Sequence, residues 1–307
     1  MTTEDLSAPL ASEDEPLKYS RLQQLSGRST DEIVEFKRAW TSVPPDSKHE
    51  LLEKLIGLAE DDLELDFTGV FRACLDDSDE DVREVATRGL WECDDRDIIR
   101  PLIGLLNSDP SAKVRAAAAM SLRKFTAMSK DGKLLSRDAD RIFSALIAAI
   151  ERPEEDLEVT RRAIEAVASQ ESPEIEEIIR NAYDSGASEL VQSALYAMGQ
   201  SSHLQWLPTV LAEMGHENAA IRYEATNAAG LLGDETTVPQ LIKLIEDEDL
   251  EVQLAAVRAL GAIGGSLASR ALKQCLKLDD EALKEAAQAA LEDLEFDDDP
   301  LGIRIEL

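Results

Sequence analysis

A short pattern recurs at an almost constant interval along most of this chain. The stretch "VQLAAVRALG", which begins at Val252, returns 31 residues earlier as "IRYEATNAAG", and seven copies align in all. The copies begin at residues 82, 114, 159, 190, 221, 252 and 283, so only the first two intervals, of 32 and 45 residues, differ from 31. A fixed period of this length is typical of proteins that stack one supersecondary unit many times. The period limits the possible folds more strongly than any single motif.

Each copy of the pattern predicts one amphipathic helix. The fifth position is Ala in every copy, the eighth is always small, and the first and ninth are apolar. Spacings of four, three and one residues place these side chains on one helix face, where small residues let a neighbouring helix approach closely. In six copies a residue favoured at helix N-termini, such as Asp79 or Asp249, stands three positions before the first residue. The predicted helices are residues 80–92, 110–126, 156–169, 188–200, 218–232, 250–263 and 281–294.

A second apolar segment precedes most copies and predicts a shorter helix. These segments are residues 97–109, 141–153, 173–186, 204–216 and 238–249. Upstream, residues 30–62 hold one further pair that departs from the pattern, as a terminal repeat does. We therefore predict an all-α fold of about sixteen helices in about eight pairs, spanning residues 29–296. Residues 1–28 are predicted to be an acidic, disordered segment, and residues 297–307 an acidic and apolar tail.

The pattern V-R/Q-x-x-A-x-x-A-L-G resembles the HEAT repeat, in particular the short bacterial form also called the phycobilisome-lyase-like HEAT repeat. The resemblance is clearest at residues 252–261 and 221–230; it covers residues 65–294 strongly and 30–64 weakly. It implies a right-handed α-solenoid of HEAT-like helical pairs, in which the second helix of each pair lines the concave side. One fold of this kind hosts many functions, so the resemblance specifies the fold and leaves the function open.

The charge and composition of the chain exclude several classes of partner. A formal net charge of −31 opposes binding to a nucleic-acid backbone or to an anionic membrane surface, because both attract positive charge. No apolar run reaches 18 residues and no basic-then-apolar leader opens the chain, so neither a membrane span nor a secretory signal is predicted. The three cysteines are scattered, which favours reduced thiols and a cytoplasmic protein.

The sequence offers no convergent set of catalytic residues. It has three histidines, and two of them form the pairs His49-Glu50 and His216-Glu217. These pairs invite comparison with the deoxyhypusine hydroxylases, HEAT-repeat enzymes that bind two irons through His-Glu pairs early in second helices. The diagnostic third position of the repeat holds no histidine in any copy, and His216 falls in a predicted loop. We therefore predict no metal, no cofactor, no small-molecule substrate and no enzymatic activity.

The outward positions of the second helices predict a protein-binding surface. Positions three, seven, ten and eleven of each copy should face away from the core, and they are richer in Arg and aromatic residues than the chain as a whole. Trp, Tyr and Arg are the usual carriers of binding energy at protein interfaces. The predicted partner-binding residues are Arg88, Trp91, Arg123, Arg161, Tyr196, Tyr223 and Arg258.

These observations favour a non-catalytic scaffold or adaptor that binds a protein partner on its concave surface. The alternative is a bilin lyase, or a related chromophore-handling enzyme, since relatives in the HEAT family attach or detach bilins with a groove formed by the repeats.

Two features lie outside the regular pattern. Residues 127–141 are expected to form a long connection, either decoration or a binding loop. The end of the chain, with Ile303, Ile305 and Leu307, either docks on the last repeats or is a solvated tail.

Overall fold

A computed structural model describes the backbone of residues 22–298 and the side chains of residues 22–294. This part of the chain contains sixteen α-helices and no β-strand, which confirms the predicted all-α fold. The helices are α1 (Thr30–Trp40), α2 (Pro45–Asp61), α3 (Thr68–Cys74), α4 (Glu80–Arg88), α5 (Ile99–Ser108), α6 (Ala112–Lys130), α7 (Ser136–Ile150), α8 (Leu157–Val167), α9 (Pro173–Asp184), α10 (Ser188–Ser201), α11 (Leu207–Glu213), α12 (Ala219–Leu232), α13 (Val238–Leu244), α14 (Leu250–Ile263), α15 (Gly265–Cys275) and α16 (Glu281–Asp298).

The helices fall into two compact units. Of the described residues, 22–167 form unit 1, which contains α1–α8, and 168–298 form unit 2, which contains α9–α16. In unit 1 the second helices α2, α4, α6 and α8 pack against one another in that order, and in unit 2 the second helices α10, α12, α14 and α16 do the same. Each unit is therefore a short stack of helical pairs held together by neighbouring repeats.

The predicted core columns are buried. The alanine at the fifth position has no exposed surface in any copy; these residues are Ala86, Ala118, Ala163, Ala194, Ala225, Ala256 and Ala287. The ninth position is also buried throughout, from Leu90 at 0% to Leu291 at 9% exposure. Leu190 at the first position is only half-buried, and its neighbour Val191 takes the buried place in that helix. The sequence columns thus identify the packed face of every second helix.

The predicted N-caps form at most second helices. The side chains of Asp79, Asn218 and Asp249 accept hydrogen bonds from backbone N–H groups in the first turns of α4, α12 and α14. At Ser111 the side chain makes no capping hydrogen bond. The backbone N–H of Ser111 instead donates to Asp109 Oδ1, so that carboxylate fixes the loop before α6. The caps explain why the helices begin within two residues of the predicted positions.

Arginine at the second position of a repeat fastens neighbouring loops. Arg222 donates through Nε and Nη2 to the two carboxylate oxygens of Asp247, at 2.9 and 2.7 Å, and both side chains are more than 90% buried. Its Nη1 donates to two backbone carbonyls of the preceding loop. Arg83 makes the same forked contact with Asp109 in unit 1, at 2.8 and 2.9 Å. Burial raises the pKa of Asp247, but its hydrogen bonds from Arg222 and from a backbone N–H outweigh this and hold the pKa below its ordinary value.

One set of predicted outward positions is wrong. Gly199 and Gly230, at the tenth position, are buried. A Cβ added to Gly199 would lie 2.8 Å from Ala228 Cα, and one added to Gly230 would lie 2.9 Å from Ala259 Cβ. These glycines therefore allow the next second helix to approach so closely that no larger residue fits without movement. Ala116, also predicted to face outward, is buried at 6% exposure.

The extra residues between the second and third copies form helix, which corrects the expectation of a long connection. Helix α6 continues to Lys130 and α7 begins at Ser136, so only residues 131–135 remain between them. The insertion lengthens the two helices that flank it, the second helix of one pair and the first helix of the next, and the first turns of α7 carry Arg137 and Arg141.

The ends of the folded region also differ from the predicted boundaries. Leu22 and Leu25 are buried at 4% and 7% exposure, within the segment predicted to be disordered. Ser26 Oγ accepts from the backbone N–H of Asp66, and the Gly27 N–H donates to the Asp66 carbonyl, so this segment is fastened beside the start of α3. At the other end α16 extends to Asp298. Residues 1–21 and 299–307, including the predicted tail docking, lie outside the described residues.

Candidate partner-binding surface

A groove on the second helices of unit 2 brings three predicted binding residues together. It lies on α10, α12 and α14 and has a volume of about 410 Å³. We call it the tyrosine groove; its main lining residues are Tyr196, Tyr223, Asn227, Gly230, Leu231 and Arg258.

The repeat explains why these side chains share one surface. Tyr223, Asn227 and Leu231 stand at positions three, seven and eleven of their copy, which are one helical turn apart. Tyr196 and Arg258 stand at position seven of the preceding and following copies. Because each copy stacks on the next through its glycine and alanine columns, these positions come side by side. Buried Gly230 and Ala259 contribute to the floor of the groove.

The groove combines an available cation with apolar surface. Arg258 is exposed and makes no hydrogen bond or ion pair with any of the residues that the structure describes. Leu231 is 50% exposed, and Tyr223 is half-buried with its ring in the groove wall. An unpaired guanidinium beside aromatic rings and an exposed leucine can receive a carboxylate and an apolar side chain at the same time.

The other four predicted binding residues lie in unit 1 and outside the tyrosine groove. Trp91, just after α4, is 39% exposed. Arg88 Nε lies 3.2 Å from Glu84 Oε1, and the same guanidinium also pairs with Glu53. Arg161 Nη1 lies 2.9 Å from Glu158 Oε2, and Arg123 is half-buried on α6. Arg88 and Arg161 are therefore paired with carboxylates of their own unit, and the predicted surface is gathered best in unit 2.

The histidines occupy ordinary structural positions. His216 Nδ1 accepts a hydrogen bond of 2.9 Å from the backbone N–H of Asn218 in the loop before α12. His49 and His203 lie 3.8 and 3.9 Å from glutamate oxygens near the surface. Among the described residues, no group of three or more His, Cys, Asp or Glu side chains is placed to hold a metal ion.

Over the same residues, none of the helices has the length and apolar character that crossing a bilayer requires.

A second groove, in unit 1, was not predicted from the sequence. It has a volume of about 1030 Å³ and lies along the first helices α3, α5 and α7. We call it the arginine groove; its lining includes Arg72, Arg96, Arg100 and Arg141, together with the aspartates Asp97, Asp138 and Asp140. Residues 96–141 hold ten Lys and Arg against five Asp, although the whole chain carries a charge of −31. Only Arg96, Arg100 and Arg141 of these ten line the groove, so the local excess of positive charge does not by itself locate it.

The sequence matches the model of the HEAT repeat family over residues 69–140 and 207–292, which together are just over half of the chain. The chain therefore belongs to the HEAT repeat family. The matched stretches include α12 and α14 of the tyrosine groove and α5 of the arginine groove, whereas α10 and most of α7 lie outside them.

Several solved structures are similar to this chain. The YibA protein of Escherichia coli is 19% identical; the match covers 78% of this chain and 96% of YibA, with a TM-score of 0.46. An engineered protein is 18% identical over 95% of this chain and 88% of its own, with a TM-score of 0.40. Human deoxyhypusine hydroxylase, in complex with glycerol, is 20% identical over 95% of this chain and 96% of its own, with a TM-score of 0.32. No curated protein matches the sequence.

The last of these structures corrects one prediction. From the sequence we predict that the chain is not an enzyme, but human deoxyhypusine hydroxylase is an enzyme and matches nearly the full length of the chain. The repeat architecture therefore does not exclude catalysis, and the prediction is wrong. A match at this level of similarity also assigns no activity to this chain.

Proposed function

We propose that this protein is a scaffold that binds a protein partner in the tyrosine groove of unit 2. The observation that supports the proposal is the convergence of Tyr196, Tyr223 and Arg258 on one groove, with Arg258 unpaired among the described residues. Tyrosine and arginine dominate the binding energy of many interfaces, because they offer large contact area and directed hydrogen bonds.

The chemistry of the groove indicates what kind of segment fits it. A carboxylate can form a forked, charge-assisted hydrogen bond with Arg258. An apolar side chain two or three residues away can cover Leu231 and the ring of Tyr223. We therefore expect the partner to present an exposed segment with one acidic and one apolar anchor.

The proposal can be tested by comparing the proteins that variants of this chain retain from an extract of its source organism. The first variant, Tyr223→Ala with Arg258→Ala, removes both anchors of the groove. The control, Leu267→Ala with Arg270→Ala, removes an exposed leucine and an exposed arginine on the first helix α15 of the same unit. Circular dichroism melts establish that both variants are folded.

The natural chain and the α15 control should retain the same partner, and the groove variant should lose it. Loss of two anchors of about 2 kcal/mol each lowers affinity by two to three orders of magnitude, which removes a micromolar partner from such a capture. If all three proteins retain the same set in the same amounts, the tyrosine groove is not the binding surface.

A further inference from the structure

The two main walls of the arginine groove are corresponding helices of successive repeats. One wall is α5 together with the short 3₁₀ turn, Arg96–Ile98, that leads into it, and the other wall is α7. The sequences of the walls align as "RDIIRPLIG" from residue 96 and "DRIFSALIA" from residue 140. This alignment matches side chains without exposed surface, Ile98 with Ile142 and Leu102 with Leu146. Successive repeats stack with corresponding helices side by side and parallel, so aligned residues lie at the same height along the groove.

The aligned charges of the two walls are opposite in sign. Arg96 is level with Asp140, and Asp97 is level with Arg141. Arg100, one helical turn beyond Arg96, adds a further cation to the α5 wall. All five residues are exposed and line the groove. Each wall therefore presents charges that complement the charges of the other wall.

These opposite charges do not meet within one chain. Asp97, Arg100 and Asp140 make no side-chain hydrogen bond or ion pair with any residue that the structure describes. Arg96 donates to a backbone carbonyl, which carries no charge, and Arg141 lies 3.8 Å from an aspartate oxygen, which is longer than a hydrogen bond. The groove, with a volume of about 1030 Å³, lies between the walls. The charges are therefore available to a second molecule.

A two-fold axis along the groove would bring the opposite charges of two copies together. Such an axis lies in the plane of contact, exchanges the two walls and keeps every residue at its own height. The α5 wall of one copy then faces the α7 wall of the other. Asp140 of each copy meets Arg96 and Arg100 of the second copy, and Asp97 meets Arg141. The surface is therefore complementary to itself, which a two-fold interface requires.

The next turn of both walls permits close approach of two copies. Beyond the charged residues, exposed Gly104 on α5 is level with exposed Ala148 on α7. Ile103, which is half-buried, supplies apolar surface beside them. Small side chains let the helices of two copies come together, and the apolar surface between them is then removed from water.

We propose that this face is an interface between two copies of the chain, in which the arginine grooves meet about a two-fold axis. The proposal does not depend on the tyrosine groove, which lies on second helices. The contact involves few helices of each copy, so it is smaller than a permanent interface, and we expect a micromolar dissociation constant. The net charge of −31 on each chain opposes association, so the local charge pairs decide whether the dimer forms.

The test measures the dissociation constant of full-length proteins by sedimentation equilibrium. The salt concentration is about 0.15 M, where the Debye length is about 8 Å and repulsion between distant charges is screened. One variant reverses the α5 wall with Arg96→Asp and Arg100→Asp. A second variant reverses the α7 wall with Asp140→Arg and Ser144→Arg. All four residues are exposed, and circular dichroism melts establish that both variants are folded.

The control variant carries Arg38→Asp and Lys54→Asp. These residues lie on α1 and α2, away from the groove, and their replacement changes the net charge by the same amount as the α5 variant does. The control therefore separates the loss of specific charge pairs from a general increase in repulsion between two acidic chains.

The natural chain and the control should form dimers with the same dissociation constant. Each wall variant alone should associate at least about tenfold more weakly, because like charges then face each other. An equimolar mixture of the two wall variants should regain the natural affinity, because each reversed wall then faces an opposite charge. A monomeric natural chain, or wall variants that associate as the natural chain does, would overturn the proposal. So would a mixture that stays monomeric, or a control that is weakened as much as the α5 variant.

Discussion

The two units are built from one repeat, yet they differ at its tenth position. In unit 2 this position holds Gly199, Gly230 and Gly261, and a Cβ added to any of them would lie 2.7 to 2.9 Å from an atom of the alanine on the next second helix. The first two copies, in unit 1, hold Trp91 and Arg123 at this position, and their side chains reach the surface; the copy on α8 holds buried Ala168 and the last copy holds Glu292. The core columns are the same in both units, so the difference between Trp91 and Arg123 on one side and the three glycines on the other lies at the surface of the second helices.

The difference shows how a regular stack acquires distinct binding surfaces. Glycine lets the second helices of unit 2 pack closely, and the outward side chains of three repeats then meet in the tyrosine groove. In unit 1 the regular interval is interrupted, and the lengthened helix α7 contributes instead to the arginine groove on the first helices. We infer that close packing of second helices and irregular first helices are two routes to a site in the same architecture.

The largest expected effect concerns a feature that the units share. Arg222→Ala leaves Asp247 buried without its guanidinium, and loss of one partner of a buried pair costs about 3–5 kcal/mol. Hydrogen exchange should therefore accelerate in residues 168–294, while residues 22–167 keep their protection. The control is Arg162→Ala in unit 1, where a more exposed arginine pairs with Glu158 and Glu165 on its own helix. This substitution should lower the free energy of unfolding by only about 0–1 kcal/mol. Equal losses of hydrogen-exchange protection in the two variants would show that the forked contact of Arg222 with Asp247 is not important for stability.

A smaller effect tests the glycine column directly. Gly230→Ala forces a Cβ against the Cα and Cβ of Ala259 and should lower the free energy of unfolding by about 1–3 kcal/mol. Gly104→Ala, in the exposed middle of α5 where no atom lies within 4 Å of the added Cβ, should raise it by about 0.5–1 kcal/mol through helix propensity. Urea unfolding measures both. Changes of the same sign would show that the second helices of unit 2 are not in close contact.

The smallest expected effect is a difference in acid sensitivity. Burial raises the pKa values of Asp77, Asp109 and Glu155 in unit 1 and of Asp247 in unit 2, but hydrogen bonds to cations and backbone N–H groups outweigh burial and lower all four. Lowered folded-state pKa values stabilise the protein above the unfolded values of about 4, and this stabilisation disappears as the pH falls through the folded values. Pepsin at pH 3 should therefore cut residues 22–167 first. Earlier cleavage in residues 168–294 would contradict this expectation.

The sequence predicts the helices and their packed faces because both depend on spacing within one repeat. The seven buried alanines and the caps at Asp79 and Asp249 follow from that spacing alone. The buried position of Gly230 could not be predicted in the same way, because it depends on how closely the next helix approaches. The partner of Arg222 is a loop residue 25 positions away, and the neighbours of Arg100 come from three first helices. The contacts between repeats therefore could not be identified without the structure. The same holds for the grouping of Tyr196, Tyr223 and Arg258 within one groove.

Hydroxyl-radical footprinting of this protein, alone and with its captured partner, tests the proposed binding surface most directly. Tyr196 and Tyr223 lie in the tyrosine groove, whereas Tyr183 lies on the first helix α9 of the same unit, with its hydroxyl donating to Glu213 at 2.5 Å. Partner binding should reduce oxidation of Tyr196 and Tyr223 severalfold and leave Tyr183 unchanged, because only the groove loses contact with solvent. Protection of Tyr183, with the two groove tyrosines still oxidised as in the free protein, would contradict the account.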